Sequence, residues 1–243
     1  MGEAEAVKVY NQGAEHFKKH EFEKAAECFK KSAELDGKLY RAWAYLGMAY
    51  AQLGQLDPAI EAYRKCIDIA PDYHKAFNNV GELYRRKGQL DYAAMVFKMA
   101  TEIAPTLPHY FYNLGITYFE IGMYVQSEEA FAKAFELDAN DYEYATELGQ
   151  VQFTQKKYEA AAATLDKWIK THPDHDRSPE TRARVAMLKR LAEQQKAAQA
   201  QMGSHKSEIR PAVLDEEGDE NSQTKPGMPQ VPPGQKDPGK PPN

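Results

Sequence analysis

The sequence predicts an all-α chain: a solenoid of five helix–turn–helix units, one further helix that closes it, and a disordered C-terminal tail. Three observations carry this. Gly13, Gly47, Gly81, Gly115 and Gly149 recur every 34 residues without a slip. Twelve residues after each glycine stands a small residue, Ala25, Ala59, Ala93, Ser127 or Ala161, and four further on a large one, Phe29, Tyr63, Phe97, Phe131 or Leu165. Chain-breaking residues return at the same period. A fixed period of this length marks stacked supersecondary units, in which small residues let two antiparallel helices approach and large ones fill the layer between pairs.

The units follow in order. The first spans about residues 6–39 and ends at Gly37. The second, 40–73, turns at Gly54, offers Asp57 as a helix cap with Pro58 in the first helical position, and stops at Pro71. The third, 74–107, turns at Gly88 and stops at Pro105; the fourth, 108–141, turns at Gly122 and has Ala139 in the stop position; the fifth, 142–175, stops at Pro173. Residues 177–202 read as a helix with Ser178 as N-cap, Pro179 next, and an apolar stripe of Val185, Leu188, Leu191 and Ala192. Residues 203–243 hold eight prolines and no aromatic residue. Such a composition cannot bury enough apolar surface to offset chain entropy, so a disordered, Pro-rich tail is expected.

Composition bounds the function. The 243 residues are 42% hydrophobic and 28% charged, with a formal charge of −5, which argues against nucleic-acid binding by bulk electrostatics. The opening MGEAEAVKVYNQG is acidic and has no apolar core of a signal peptide, and Ala6 stands where a myristoylation signal needs Ser or Thr. No run reaches the roughly 20 apolar residues of a membrane span. A cytoplasmic chain without membrane insertion is expected. Cys28 and Cys66 form neither a disulfide framework nor a metal cluster.

The second unit shows Trp43, Leu46, Gly47, Tyr50, Ala59, Tyr63, Cys66 and Pro71, and on these residues the chain resembles the tetratricopeptide repeat family. The first and fifth units depart furthest from its motif, with Gln12 and His16, then Ala145, Gln152 and Trp168. The resemblance implies a right-handed superhelix whose concave groove is lined by the first helix of each unit, a C-terminal capping helix, and a non-enzymatic scaffold or adaptor that binds a peptide or helix of a partner protein. A self-assembling scaffold, or a repeat subunit of a separately encoded enzyme, is the alternative.

The stretch PHYFYNLGITYFEIGMY, residues 108–124, carries six aromatic rings, more than one packing face of one helix accommodates. Helical periodicity divides them. Tyr110, Phe111, Leu114, Tyr118 and Tyr124 fall to packing, while His109, Tyr112, Ile116 and Phe119 are left for the groove. The same positions in other units place Tyr10, Phe17 and Met48 there, along with a basic stretch of Lys75, Arg85 and Arg86. A partner with hydrophobic anchors and an acidic group suits such a face.

Asn79 and Asn113 occupy one further position, at which some relatives of the resembled family use asparagine amides to hold a peptide backbone; an amide supplies both donor and acceptor. The pattern with which other relatives grip chaperone C-termini is absent. No cofactor, metal site or catalytic group is expected. His16 with His20, and His172 with Asp174 and His175, lack a third ligand at motif spacing, and Cys66 stands where the resembled family has a core alanine.

Overall fold

The computed structural model describes residues 2–208, and the surroundings of their side chains through residue 202. Every regular element among the described residues is a helix: α1 (Gly2–Lys18), α2 (Phe22–Leu35), α3 (Tyr40–Gln52), α4 (Leu56–Ile69), α5 (His74–Arg86), α6 (Leu90–Ile103), α7 (Pro108–Ile121), α8 (Tyr124–Leu137), α9 (Tyr142–Thr154), α10 (Tyr158–Thr171) and α11 (Ser178–Glu208). From α1 to α10 each helix packs against its neighbours in the chain. The odd and even helices thus pair as helix–turn–helix repeats.

The turn inside each pair has one construction. His20, Gly54, Gly88, Gly122 and Lys156 adopt left-handed backbone, with φ of 59°, 72°, 72°, 89° and 60°. The next residue then donates back across the helix end, as Gln55 N does to Tyr50 O at 2.9 Å and Met123 N to Tyr118 O at 2.8 Å. This bond satisfies a carbonyl that the helix end would otherwise leave open. It also brings the next helix in early. The expected cap at Asp57 is therefore corrected: α4 begins at Leu56, Gln55 stands at its N-cap position without a side-chain cap, and Asp57 lies inside the first turn and pairs with Lys87. Pro58 then sits where a missing N–H leaves no helical bond unmade.

Side-chain packing fills the space within and between pairs. Ala25, Ala59, Ala93 and Ala161 are wholly buried, as is Ser127, whose hydroxyl donates to Gly115 O at 2.8 Å. Phe29, Tyr63, Phe97, Phe131 and Leu165 lie against the helical glycines and are fully enclosed or nearly so. Tyr110 and Leu114 are buried as expected, and Phe111 and Tyr118 are half-buried against the core. Tyr124 is not a packing residue: it is 39% exposed and lies edge-on to Phe119, at 5.3 Å between centroids.

At the C-terminal end Val185 and Leu188 join Leu165 and Trp168 in the last core cluster, and Ala192 is buried on the same stripe. Ser178 is not the cap that its position implies. Its hydroxyl donates to the carbonyl of His172, which ties the start of α11 to the end of α10, while the Arg177 carbonyl accepts the early bond from Thr181 N. α11 continues to Glu208, six residues beyond the expected boundary at 202, because GSHKSE contains no proline and follows a run of strong helix formers. The rest of the expected tail, 209–243, lies outside the described residues. Among the described residues no helix is long and apolar enough to cross a membrane.

Candidate peptide-binding face

Contacts between successive odd-numbered helices define a continuous face. Tyr10 meets Tyr45 edge-on at 5.5 Å between ring centroids, joining α1 to α3, and Tyr40 meets Tyr73 at 5.1 Å where α5 begins. Asn113 Nδ2 donates to Asn78 Oδ1 at 2.8 Å, joining α7 to α5. Tyr112 lies 5.2 Å from Tyr144 on α9, and Arg184 of α11 donates to Gln150 Oε1 at 2.6 Å.

The face is aromatic near its N-terminal end, but the rings there are committed. Tyr10 and Phe17 are half-buried around Tyr45 and Phe29, with Phe17 also edge-on to Phe22 at 5.2 Å. Burial, helped by Tyr45, pushes the Tyr10 phenol up to about 12. Met48 is half-buried against the second core cluster. These side chains leave their edges rather than whole surfaces exposed.

The expected basic stretch is neutralised at Arg85. Arg85 Nε donates to Glu82 at 3.1 Å and its Nη1 to Glu120 at 3.2 Å, so a carboxylate from its own helix and one from α7 already hold it. Arg86 reaches the Ala51 carbonyl of α3 at 3.4 Å. Lys75 is exposed and has no ion-pair partner among the described residues; Arg41, also exposed, bonds only Tyr40 Oη, at 3.3 Å. Free positive charge on this face therefore lies at Arg41, Lys75 and Arg86, none of which has a carboxylate partner among the described residues.

The two asparagines are not equivalent. Asn79 turns inward and donates to Tyr63 Oη at 2.9 Å, which serves a phenol whose residue is only 2% exposed. Asn113 bridges two helices through Asn78. No hydrogen bond joins Asn79 to Asn113, so the expected amide ladder has one member turned into the fold.

In the fourth unit Tyr112, Ile116 and Phe119 are half-buried at the edge of the last core cluster, with Tyr112 also 5.8 Å from Phe131. The division between packing and groove rings is thus a gradient, because a ring at the edge of the stripe touches both core and solvent. His109 is exposed and lies edge-on to Tyr110 at 4.2 Å; burial of its ring, then the nearby His74, lowers its basicity.

An acidic end of the face was missed by weighing only Lys75, Arg85 and Arg86. Its sequence signal is Asp141, just before α9, followed by Glu143 and Glu147 one turn apart on that helix. Asp141 caps that helix, accepting from Glu143 N at 2.7 Å and Tyr144 N at 3.3 Å. Burial, and then Glu143, Glu147 and Asp141, push the Tyr112 phenol up to about 12. Burial likewise raises the Glu147 carboxyl above its ordinary value; Arg184 opposes this and Glu143 adds to it.

The remaining reactive groups are engaged in structure. His16 Nδ1 lies 2.5 Å from Glu21 Oε2, His20 meets Phe22 edge-on, and His172 stacks on Trp168 at 4.8 Å. Burial pushes the Cys66 thiol up to about 12.

Two tetratricopeptide repeat models match the chain, over residues 40–73 and 112–176. No curated protein matches it in sequence. Among solved structures it is similar to MamA from Desulfovibrio magneticus RS-1, at 22% identity over 70% of this chain and 97% of that one, with a TM-score of 0.62. It is similar to YrrB, described as a TPR protein with an unusual peptide-binding site, at 21% identity over 73% and 92% of the two chains and a TM-score of 0.60. It is also similar to PilF of Pseudomonas aeruginosa, at 20% identity over 86% and 95% and a TM-score of 0.61. At these identities the likeness is one of fold.

Proposed function

Because the chain is a tetratricopeptide repeat protein, a class that mediates contacts between proteins, we propose that it is a non-enzymatic adaptor whose odd-numbered helices hold an extended or helical segment of a partner. The observation that carries this reading is the half-exposed apolar surface of Tyr112, Ile116 and Phe119 on α7, set between unlike charges. Arg41 and Lys75 stand unpaired toward one end, and Asp141, Glu143 and Glu147 toward the other. A segment with one or two apolar anchors, an acidic residue toward α3 and α5 and a basic residue toward α9 fits both the surface and its polarity. Complementary charge of this kind sets orientation more than affinity. Apolar anchors supply most of the binding energy.

The test is selection of peptides from a displayed random library, followed by affinity measurement on variants. Peptides that use this face should lose about 30-fold in affinity on Phe119→Ala with Tyr112→Ala, the loss of two partly buried anchors. Lys75→Glu should reorder the preferred peptide charge while circular dichroism and thermal midpoint stay near those of the parent. Selected peptides that bind both variants as well as the parent would move the interface elsewhere.

A further inference from the structure

The outer surface of α6 carries a feature that groove binding leaves unused. Tyr92, Met95 and Met99 are 56%, 55% and 41% exposed and follow one another at spacings of three and four residues, so they form one apolar stripe along the helix. Tyr84 stacks against Tyr92 at 5.5 Å between centroids, which widens the stripe at its N-terminal end. Beside it stand Asp91 and Lys98, both exposed, and neither charged group has a hydrogen-bond or ion-pair partner among the described residues. Other exposed charges nearby on the fold do pair within the chain, as Arg64 does with Glu61 and Lys133 with Glu136.

The stripe is complementary to itself. With a rise of about 1.5 Å per residue, Asp91 lies about 6 Å along the axis on one side of Met95, and Lys98 about 4.5 Å on the other. A two-fold axis through Met95, with two copies of α6 antiparallel, therefore sets Asp91 of each copy beside Lys98 of the other. The same operation sets Met95 against its own image and Tyr92 against Met99. One patch then supplies both halves of a closed contact, with two ion pairs flanking three apolar layers. Closed two-fold contacts need this self-complementarity, and flexible methionine side chains adapt readily to one another.

We propose that the Tyr92–Met95–Met99 face of α6 is the contact surface for a second copy of this chain, joined as an antiparallel two-fold dimer. The odd-numbered helices carry the proposed peptide face, so the dimer would present two such faces and raise the avidity for a partner with repeated segments.

The experiment is the mass of the full chain in solution across a dilution series, by light scattering or sedimentation, with circular dichroism to confirm folding. All substitutions fall on exposed positions. The parent should pass from monomer to dimer with rising concentration. Met95→Glu, which would place like charges face to face, should raise the concentration of half-dimerisation at least about tenfold. Asp91→Lys and Lys98→Asp should each weaken the dimer, because each removes both ion pairs by symmetry and sets like charges together. The double reversal Asp91→Lys/Lys98→Asp should bring the dimer back to within about threefold of the parent, since coupled charges are non-additive. A parent that stays monomeric throughout overturns the proposal. So does a dimer that survives Met95→Glu, or one that the double reversal does not restore. The peptide affinities of the preceding section are read in monomer at high dilution, so the two proposals fail independently.

Discussion

A Cβ atom added to Gly115 would stand 2.7 Å from a ring carbon of Phe131. The same relationship, sixteen residues apart, holds between Gly47 and Tyr63 and between Gly81 and Phe97, each at 2.8 Å, and between Gly13 and Phe29 at 2.9 Å. Only Gly149 differs: its large neighbour is Leu165, and the added atom would lie 3.3 Å away. Phe131 is fully enclosed and cannot swing aside. Gly115→Ala should therefore cost about 2 kcal/mol or more, as overpacking in a closed core does. Gly149→Ala should cost far less, because the branched leucine end can give and alanine is favoured in a helix by about 1 kcal/mol. Chemical denaturation of the two variants measures the contrast; equal losses would show that ring rigidity is not the cause.

Two left-handed turn residues are not glycine. Lys156, at φ 60°, is exposed, and its side chain has no ion pair among the described residues, so Lys156→Gly should stabilise the chain by about 0.5–1 kcal/mol through relief of backbone strain. His20→Gly should gain less, since it gives up the ring contact with Phe22 at 5.7 Å. In the opposite sense Gly88→Ala, where the added methyl meets no atom within 4 Å, should lose about 1 kcal/mol from φ alone. Thermal midpoints of the three variants should fall in that order.

Asn79 tests whether an amide on the proposed peptide face serves a partner or the fold. It donates to the Tyr63 phenol at 2.9 Å, so Asn79→Ala should cost about 1–3 kcal/mol of stability by leaving an enclosed hydroxyl without its donor. In a Tyr63→Phe background the same change should cost much less, which a double-mutant cycle measures. An Asn79→Ala variant of parental stability that binds selected peptides poorly would reassign the amide to the partner.

The Glu147 carboxyl titrates above its ordinary value, chiefly because it is half-buried. Its contribution to stability is complete below the unfolded-state value, near about pH 4, and is lost as pH rises through the higher folded-state value. Glu147→Gln stays neutral throughout. It should therefore be more stable than the parent at pH 7, with the difference shrinking toward zero as pH falls to about 4. A variant less stable than the parent at pH 7 would mean that the attraction of Arg184 outweighs burial.

Much of this architecture is legible in the residues, for a physical reason. Helix approach at Gly47 or Gly81 and enclosure at Tyr63 or Phe97 are demands of size, and size is written in the residue type. The left-handed positions were legible only where glycine fills them; His20 and Lys156 accept the same backbone under the same 34-residue period without announcing it. The Asp57 cap failed because a backbone bond from Gln55 to Tyr50 ends the preceding helix and admits the next one early. On the candidate face, size gave way to pairing. Arg85 reads as a free cation until Glu120, from the next odd-numbered helix, is found 3.2 Å away, and Asn79 reads as available until the Tyr63 hydroxyl is placed beneath it. Such pairings depend on how the helices stack, and one helix read alone does not contain them.

From α1 to α10 each helix rests on its neighbours in the chain, and among the described helices the extensive contacts run between such neighbours. The interfaces therefore act in series, like coils of a spring. A small rotation tolerated at each one adds along the row, so the spacing between α1 and α9 is softer than any single contact within it. A ligand long enough to touch several odd-numbered helices would set the pitch of that spring. A shorter one would leave it free to breathe.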